Sequence, residues 1–257
     1  CAGRTGTDGG CHDRLYSACL AWLFGRKLAA MGQDLAHKRP WLLASLLAGL
    51  SFPATWLLLP IEGSFFAIIW KMAAVGLLVP FALRRHHDGE FIPLAIMLGL
   101  YALGDGLIEL SMVAGAVAFA AGHLVAIWLY FKHRRVRPAF SQKLLAIAIF
   151  MMTPVIAYGL PPAGGEGIQV AAYSVILAAM AAMAWSSNFP RYRVGTGAVL
   201  FVVSDLLIFA RLGPLKASQL TSIAIWYLYY FGVFLIATGI AQTLVKRGHY
   251  AKGEEGV

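Results

Sequence analysis

Charge is scarce in this chain, and what there is leans to one sign. Only 13% of the 257 residues are Asp, Glu, Lys or Arg, with 21 basic against 12 acidic. That is far too little to clothe a soluble domain of this size, which usually carries about twice the share. Cysteine is rarer still. Cys1, Cys11 and Cys19 are the three in the chain, and their spacing fits no zinc or redox motif and no disulfide framework. Gly-rich phosphate loops, serine nucleophile elbows and zinc-ligand spacings are also missing, so nothing points to nucleotide, triad or metal chemistry. No cofactor and no metal are expected.

What is abundant is apolar sequence. Sixty per cent of the residues are hydrophobic and the mean hydropathy is +0.71. Apolar runs of about 20 residues recur, each long enough to cross roughly 30 Å of hydrocarbon. Eight such spans are read over residues 41–60, 65–83, 91–110, 112–131, 144–160, 168–186, 195–212 and 220–245. In lipid each backbone group needs an internal partner, and no barrel-like alternation is visible. The fold class is therefore all-α, a polytopic membrane bundle occupying residues 41–246. Pro53 is expected to kink the first span. Residues 1–40 form an N-terminal tail, with 14–27 as a surface-lying amphipathic helix or with a start as late as Met31. A lipid-modified Cys1 is conceivable. Residues 247–257 form a polar, frayed tail.

The net charge of +9 could suggest nucleic acid, but its distribution points to topology. Of the 21 Lys and Arg residues, 18 fall in the two tails and in the loops 2–3, 4–5 and 6–7. Only Arg211 and Lys216 lie in the opposite loops, and Lys71 lies inside span two. By the positive-inside rule both termini are cytoplasmic. An integral membrane protein, of bacterial inner-membrane type, with no nucleic-acid partner is the expectation.

Two acids sit deep in apolar sequence. Residues 99–110 read GLYALGDGLIEL and residues 197–208 read GAVLFVVSDLLI. A carboxylate at a helix centre costs roughly 2.5–3.5 kcal/mol on insertion scales, so Asp105 and Asp205 must be paired, protonated or facing a wet cavity. Counted from the cytoplasmic ends of their spans they lie roughly 21 and 15 Å deep. They occupy equivalent spans if the bundle is two four-helix repeats. Lys71 and His123 reach the same depth range. Each has a plainer role open to it: the acids as ion-paired packing groups, Lys71 as a counter-charge, His123 bonding a neighbouring carbonyl. Glu109 and Arg211 lie near span ends, where solvation and snorkelling suffice, and Tyr227, Tyr229 and Tyr230 are expected to pack or to line a cavity. Two close buried carboxyls share protons unequally. Such a pair offers a general acid beside a general base, or a proton relay for transport.

At this point several stretches resemble a family. GLYALGDGLIEL, GAVAFAAGHLVAIWLYF at 115–131, GAVLFVVSDLLIFA at 197–210 and YYFGVFLIA at 229–237 are similar to the YhhN-like lysoplasmalogenases over about residues 41–245. The paired Gly104-Asp105 and Ser204-Asp205 motifs are the most specific part. Lys71, Tyr173, Met180 and Met183 are compatible with the pattern. Gly232-Val233 depart from it, since the family usually has Ala-Gln there. The resemblance implies hydrolysis of the vinyl ether bond of a lysoplasmalogen, a lysophospholipid drawn from the bilayer, with Asp105 and Asp205 as catalytic groups. On that reading Lys71 and His123 are expected to tune the pair or hold the phosphate, Ser204 to bind substrate or tune the pair, and Tyr173, Tyr229 and Tyr230 to line the chain cavity. A proton- or ion-coupled transporter using the same acids remains open at this stage, with Pro53 and Pro154 as matched interruptions, as does a non-catalytic scaffold.

Overall fold

The computed structural model describes residues 39–59, 61, 63–84, 90–162, 166–215 and 218–254, with side chains as far as residue 247. The three cysteines, Met31, the surface helix expected over 14–27, Glu62, residues 85–89 and 163–165, and Lys216 lie outside the described residues. The chain divides into two compact units, Cys1–Leu43 and Ala44–Val257. Of the first, residues 39–43 are described, and a helix begins there at Pro40.

Eight helices among the described residues are long and apolar enough to cross a membrane. They are α1 Pro40–Leu57, α2 Phe65–Leu83, α3 Phe91–Leu110, α4 Met112–Lys132, α5 Phe140–Gly159, α6 Glu166–Ser186, α7 Arg191–Leu212 and α8, whose apolar part is Gln219–Arg247. No strand occurs among the described residues. The protein is an all-α polytopic membrane bundle.

The limits of α2 and α3 coincide with the expected spans, and the differences elsewhere have local causes. Helix α5 starts four residues early because Gln142 turns back and its Oε1 accepts the Ala139 N–H at 3.0 Å, which supplies a cap that its polar start seemed to lack. Helix α7 also starts four residues early, as a wide π turn over Arg191–Gly195 that tightens into α-helix at Thr196. Pro190 precedes that turn, where its missing N–H costs nothing. Helix α8 runs on to Glu254, past the start of the tail expected to fray, although Gly248 and Gly253 are poor helix formers.

Pro53 interrupts α1, splitting it into Pro40–Ser51 and Ala54–Leu57. Helix α2 is also divided, at Leu77. Helix α5, by contrast, runs unbroken through Pro154. The interruptions therefore do not recur at matching places in the second half.

Consecutive helices pair most extensively, α3 with α4, α5 with α6 and α7 with α8. Between helices in lipid the hydrophobic drive is weak, and close approach of small residues replaces it. At the α7–α8 crossing a Cβ on Gly232 would stand 2.7 Å from the Gly197 carbonyl oxygen, and one on Gly197 would stand 2.6 Å from that of Gly232. Backbone meets backbone there, and no other residue fits.

At the end bearing the basic loops, α3, α4 and α8 are tied by charge. Arg247 donates to Nδ1 of His133 at 2.6 Å. Arginine only donates, so His133 keeps its proton on Nε2, which faces Glu90 at 3.3 Å. Lys132 meets the same carboxylate at 3.1 Å. Burial holds the His133 imidazole below its ordinary value of 6.5, Arg247 and Lys132 push the same way, and Glu90 opposes them.

Candidate active site

The opposite end of the bundle opens into a cavity of about 460 Å³, within the usual range for a small-molecule site. Its rim is formed by exposed residues at the helix ends, among them Glu109, Met112, Arg211 and Leu212, and its floor by buried ones. Asp105 and Asp205, 2% and 6% exposed, both line it. Asp105 lies five residues before the end of α3 and Asp205 seven before the end of α7, so the carboxylates sit roughly 8–11 Å in from that end. In each stretch the acid follows a small residue, Gly104 or Ser204, and at Gly104 the Phe119 ring fills the place of a side chain, 2.9 Å from where a Cβ would stand.

Each carboxylate accepts one tyrosine proton. Tyr229 of α8 donates to Oδ2 of Asp105 at 2.8 Å, and Tyr173 of α6 donates to Oδ2 of Asp205 at 2.8 Å. Behind Tyr173 the hydrogen bonds continue. His123 Nε2 lies 3.3 Å from the Tyr173 hydroxyl, and His123 Nδ1 lies 2.9 Å from the Tyr101 hydroxyl. With the Tyr173 proton directed at the carboxylate, Nε2 must donate and Nδ1 must accept. The result is a chain of one sense, from Tyr101 through His123 and Tyr173 to Asp205, joining α3, α4, α6 and α7. Gly122 makes room for it: a Cβ there would run into the Tyr101 ring.

Phe201, one turn before Asp205, separates the two arrangements. Its ring packs against Tyr229 at 5.1 Å, Tyr101 at 5.3 Å and His123 at 4.9 Å. Phe119 completes the apolar floor against Tyr229 at 5.7 Å.

The remaining residues of interest are placed as follows. Lys71 lines the cavity, but its ammonium bonds Glu109 at 2.6 Å, so the acid it pairs with stands a turn above Asp105. Ser204 also lines the cavity, although its hydroxyl donates to the Ile225 carbonyl at 3.0 Å and thereby braces α7 on α8. Tyr230 is fully buried and stacks on Trp226, with its hydroxyl 3.1 Å from Ser45 on α1. It lies away from the cavity wall, as does His123. Tyr227 donates to the Leu50 carbonyl at 3.1 Å.

Tyr101 and Phe201 are the residues sequence reasoning passed over, and Arg211 is one it read only as a snorkelling helix-end cation. Tyr101 lies four residues before Asp105, on the same helix face, and that spacing was a usable signal. Among the described residues, no three His, Cys, Asp or Glu side chains gather as metal ligands would.

A family model described as the YhhN family matches residues 66–240. No curated protein and no solved structure matches the chain. The matched segment contains both aspartates, all four members of the Tyr101–Asp205 chain, and every helix from α2 to most of α8.

Proposed function

The chain belongs to the YhhN family, and we propose that it is an integral-membrane hydrolase that cleaves the vinyl ether bond of lysoplasmalogens. The observation that carries this reading is the pair of buried aspartates lining one cavity in a membrane bundle, each held by a tyrosine hydroxyl. A membrane-embedded site suits an amphiphile whose reactive bond lies next to its chain, and the unmatched helix interruptions favour a hydrolase over a rocking transporter.

The chemistry suits two carboxyls. One, in its acid form, protonates the alkene carbon beyond the ether-bearing one and produces an oxocarbenium ion. The other, as carboxylate, stabilises that cation and takes a proton from the attacking water. The resulting hemiacetal passes its hydroxyl proton to the departing glycerol oxygen as the C–O bond breaks, giving a fatty aldehyde and a glycerophospho-ethanolamine or -choline, and the proton gained by the second carboxyl returns to the first through water. Tyr229 and Tyr173 orient the carboxylates, and His123 positions Tyr173 from behind. In this reading both termini lie on the cytoplasmic side with the basic loops, in a bacterial-type inner membrane.

The direct test is aldehyde release from a defined lysoplasmalogen by purified protein in detergent. Wild type is expected to release aldehyde, and folded Asp105→Asn and Asp205→Asn are not. No release from well-folded wild type on ethanolamine and choline forms overturns the assignment.

A further inference from the structure

The rim of the cavity carries charges that neither topology nor the acid pair accounts for. Lys and Arg concentrate at the other end of the chain's topology, where 18 of the 21 fall. Of the three that do not, Lys216 lies outside the described residues, and the other two, Lys71 and Arg211, both line this cavity. A cation serving only to anchor a helix end would snorkel outward to the interface. Arg211 is exposed and lines the opening, and among the described residues it has no carboxylate and no hydrogen-bond partner. Lys71 and Glu109 stand at the same rim, already paired at 2.6 Å, with side chains 16% and 36% exposed.

The vertical spacing is as telling as the charges. Glu109 follows Asp105 by four residues and Arg211 follows Asp205 by six, so the rim charges stand about 6 and 9 Å above the acids. In a lysophospholipid bearing an sn-1 vinyl ether, six bonds separate the ether-bearing vinyl carbon from phosphorus. Those six bonds span about 7 Å on ordinary covalent dimensions. A substrate with its vinyl ether at the carboxylates would present its phosphate at the level of Arg211.

We propose that the rim is a headgroup seat: Arg211, with Lys71 beside it, holds the phosphate of a zwitterionic lysophospholipid, and Glu109 receives its ammonium. Guanidinium suits a phosphodiester, because its paired N–H groups match two phosphate oxygens. The Lys71–Glu109 pair is a preformed image of the headgroup. On binding, each partner exchanges its neighbour for the opposite charge of the ligand, and neither charge is left bare. Lys71 and Arg211 share the single negative charge of the phosphodiester. This seat rests on the hydrolase reading for the depth at which the lipid sits, but its test does not need turnover.

The test compares two uncleavable saturated analogues with the same chain, 1-O-alkyl-glycero-3-phosphoethanolamine and 1-O-alkylglycerol, for binding to the purified full-length protein by thermal shift. Wild type is expected to bind the phosphate-bearing analogue at least tenfold more tightly. In Arg211→Gln that preference should shrink toward equality, and in Glu109→Gln the wild-type preference for the phosphoethanolamine analogue over a third probe, 1-O-alkyl-glycero-3-phosphoethanol, should disappear. Equal affinity of wild type for the two analogues overturns the proposal, and this comparison needs no variant to fold. Competition by inorganic phosphate at the concentrations where the lipid acts would mark a free-anion site and would also overturn it. Aldehyde release measured on the same preparation separates the two readings. Headgroup preference without release sinks the hydrolase and keeps the seat, whereas release without preference does the reverse.

Discussion

Asp105 and Asp205 occupy like places in like stretches, but their surroundings are built on different scales. Around Asp105 the contacts are short-ranged: Tyr229 of α8 donates one proton, and the Lys71–Glu109 pair stands a turn away. Around Asp205 the donor is only the last member of a chain that passes through four helices and ends on Tyr101, which is carried by the same helix as Asp105. One acid sits beside a rim ion pair near the mouth, and the other is braced from the interior. A shared local motif thus sets the depth of a carboxylate, while the helices opposite determine what that carboxylate can do.

The largest effects should come from removing the acids themselves. Asp105→Asn and Asp205→Asn are each expected to lower aldehyde release by about 10²–10⁴-fold, the range of a lost acid or base, with the fold intact by circular dichroism. Next come the donors. Tyr173→Phe and Tyr229→Phe each remove one hydrogen bond to a carboxyl, worth roughly 0.5–3 kcal/mol between the neutral and the ionised form, and rates should fall about two- to a hundredfold. The comparison sharpens in double variants. Adding His123→Gln to Tyr173→Phe should cost little more, because His123 acts through Tyr173, whereas adding it to Tyr229→Phe should multiply the losses. Full multiplicativity in both backgrounds would mean that the chain behind Asp205 does not work as a unit.

Smaller effects are expected in stability. Gly232→Ala must push α7 off α8 and should cost about 1–3 kcal/mol, read as a lower melting temperature in detergent. The smallest lies at the far end of the bundle. His133 is held below its ordinary value, so the unfolded chain binds its proton first as pH falls and stability should decline below about pH 6.5. His133→Gln should flatten that decline in melts recorded across pH.

The span limits were legible because crossing hydrocarbon needs about 20 apolar residues, whatever the partners. The acids were legible because they are costly there. Which faces turn inward was not. Helices such as α3 and α4 are apolar all round, so no polar stripe marks the lipid side. Tyr101 therefore looked like any aromatic in a span, although its hydroxyl is spent on His123. Arg211 looked like an interfacial anchor because its register relative to the cavity depends on how α7 packs, and Lys71 looked like a counter-charge to an aspartate until Glu109 proved nearer. The hydrogen bonds of Ser204 and Tyr230 to α8 and α1 depend on the same interhelical packing.

The bare crossing of Gly197 and Gly232 acts as a pivot in the mechanical sense. Asp205 is carried on α7, eight residues from the pivot, and the tyrosine that steers Asp105 is carried on α8, only three residues from it. Because the two backbones touch without side chains between them, they cross as close as two helices can. The spacing of α7 and α8, which carry Asp205 and Tyr229, is therefore set where they cross by two residues that carry no chemistry of their own.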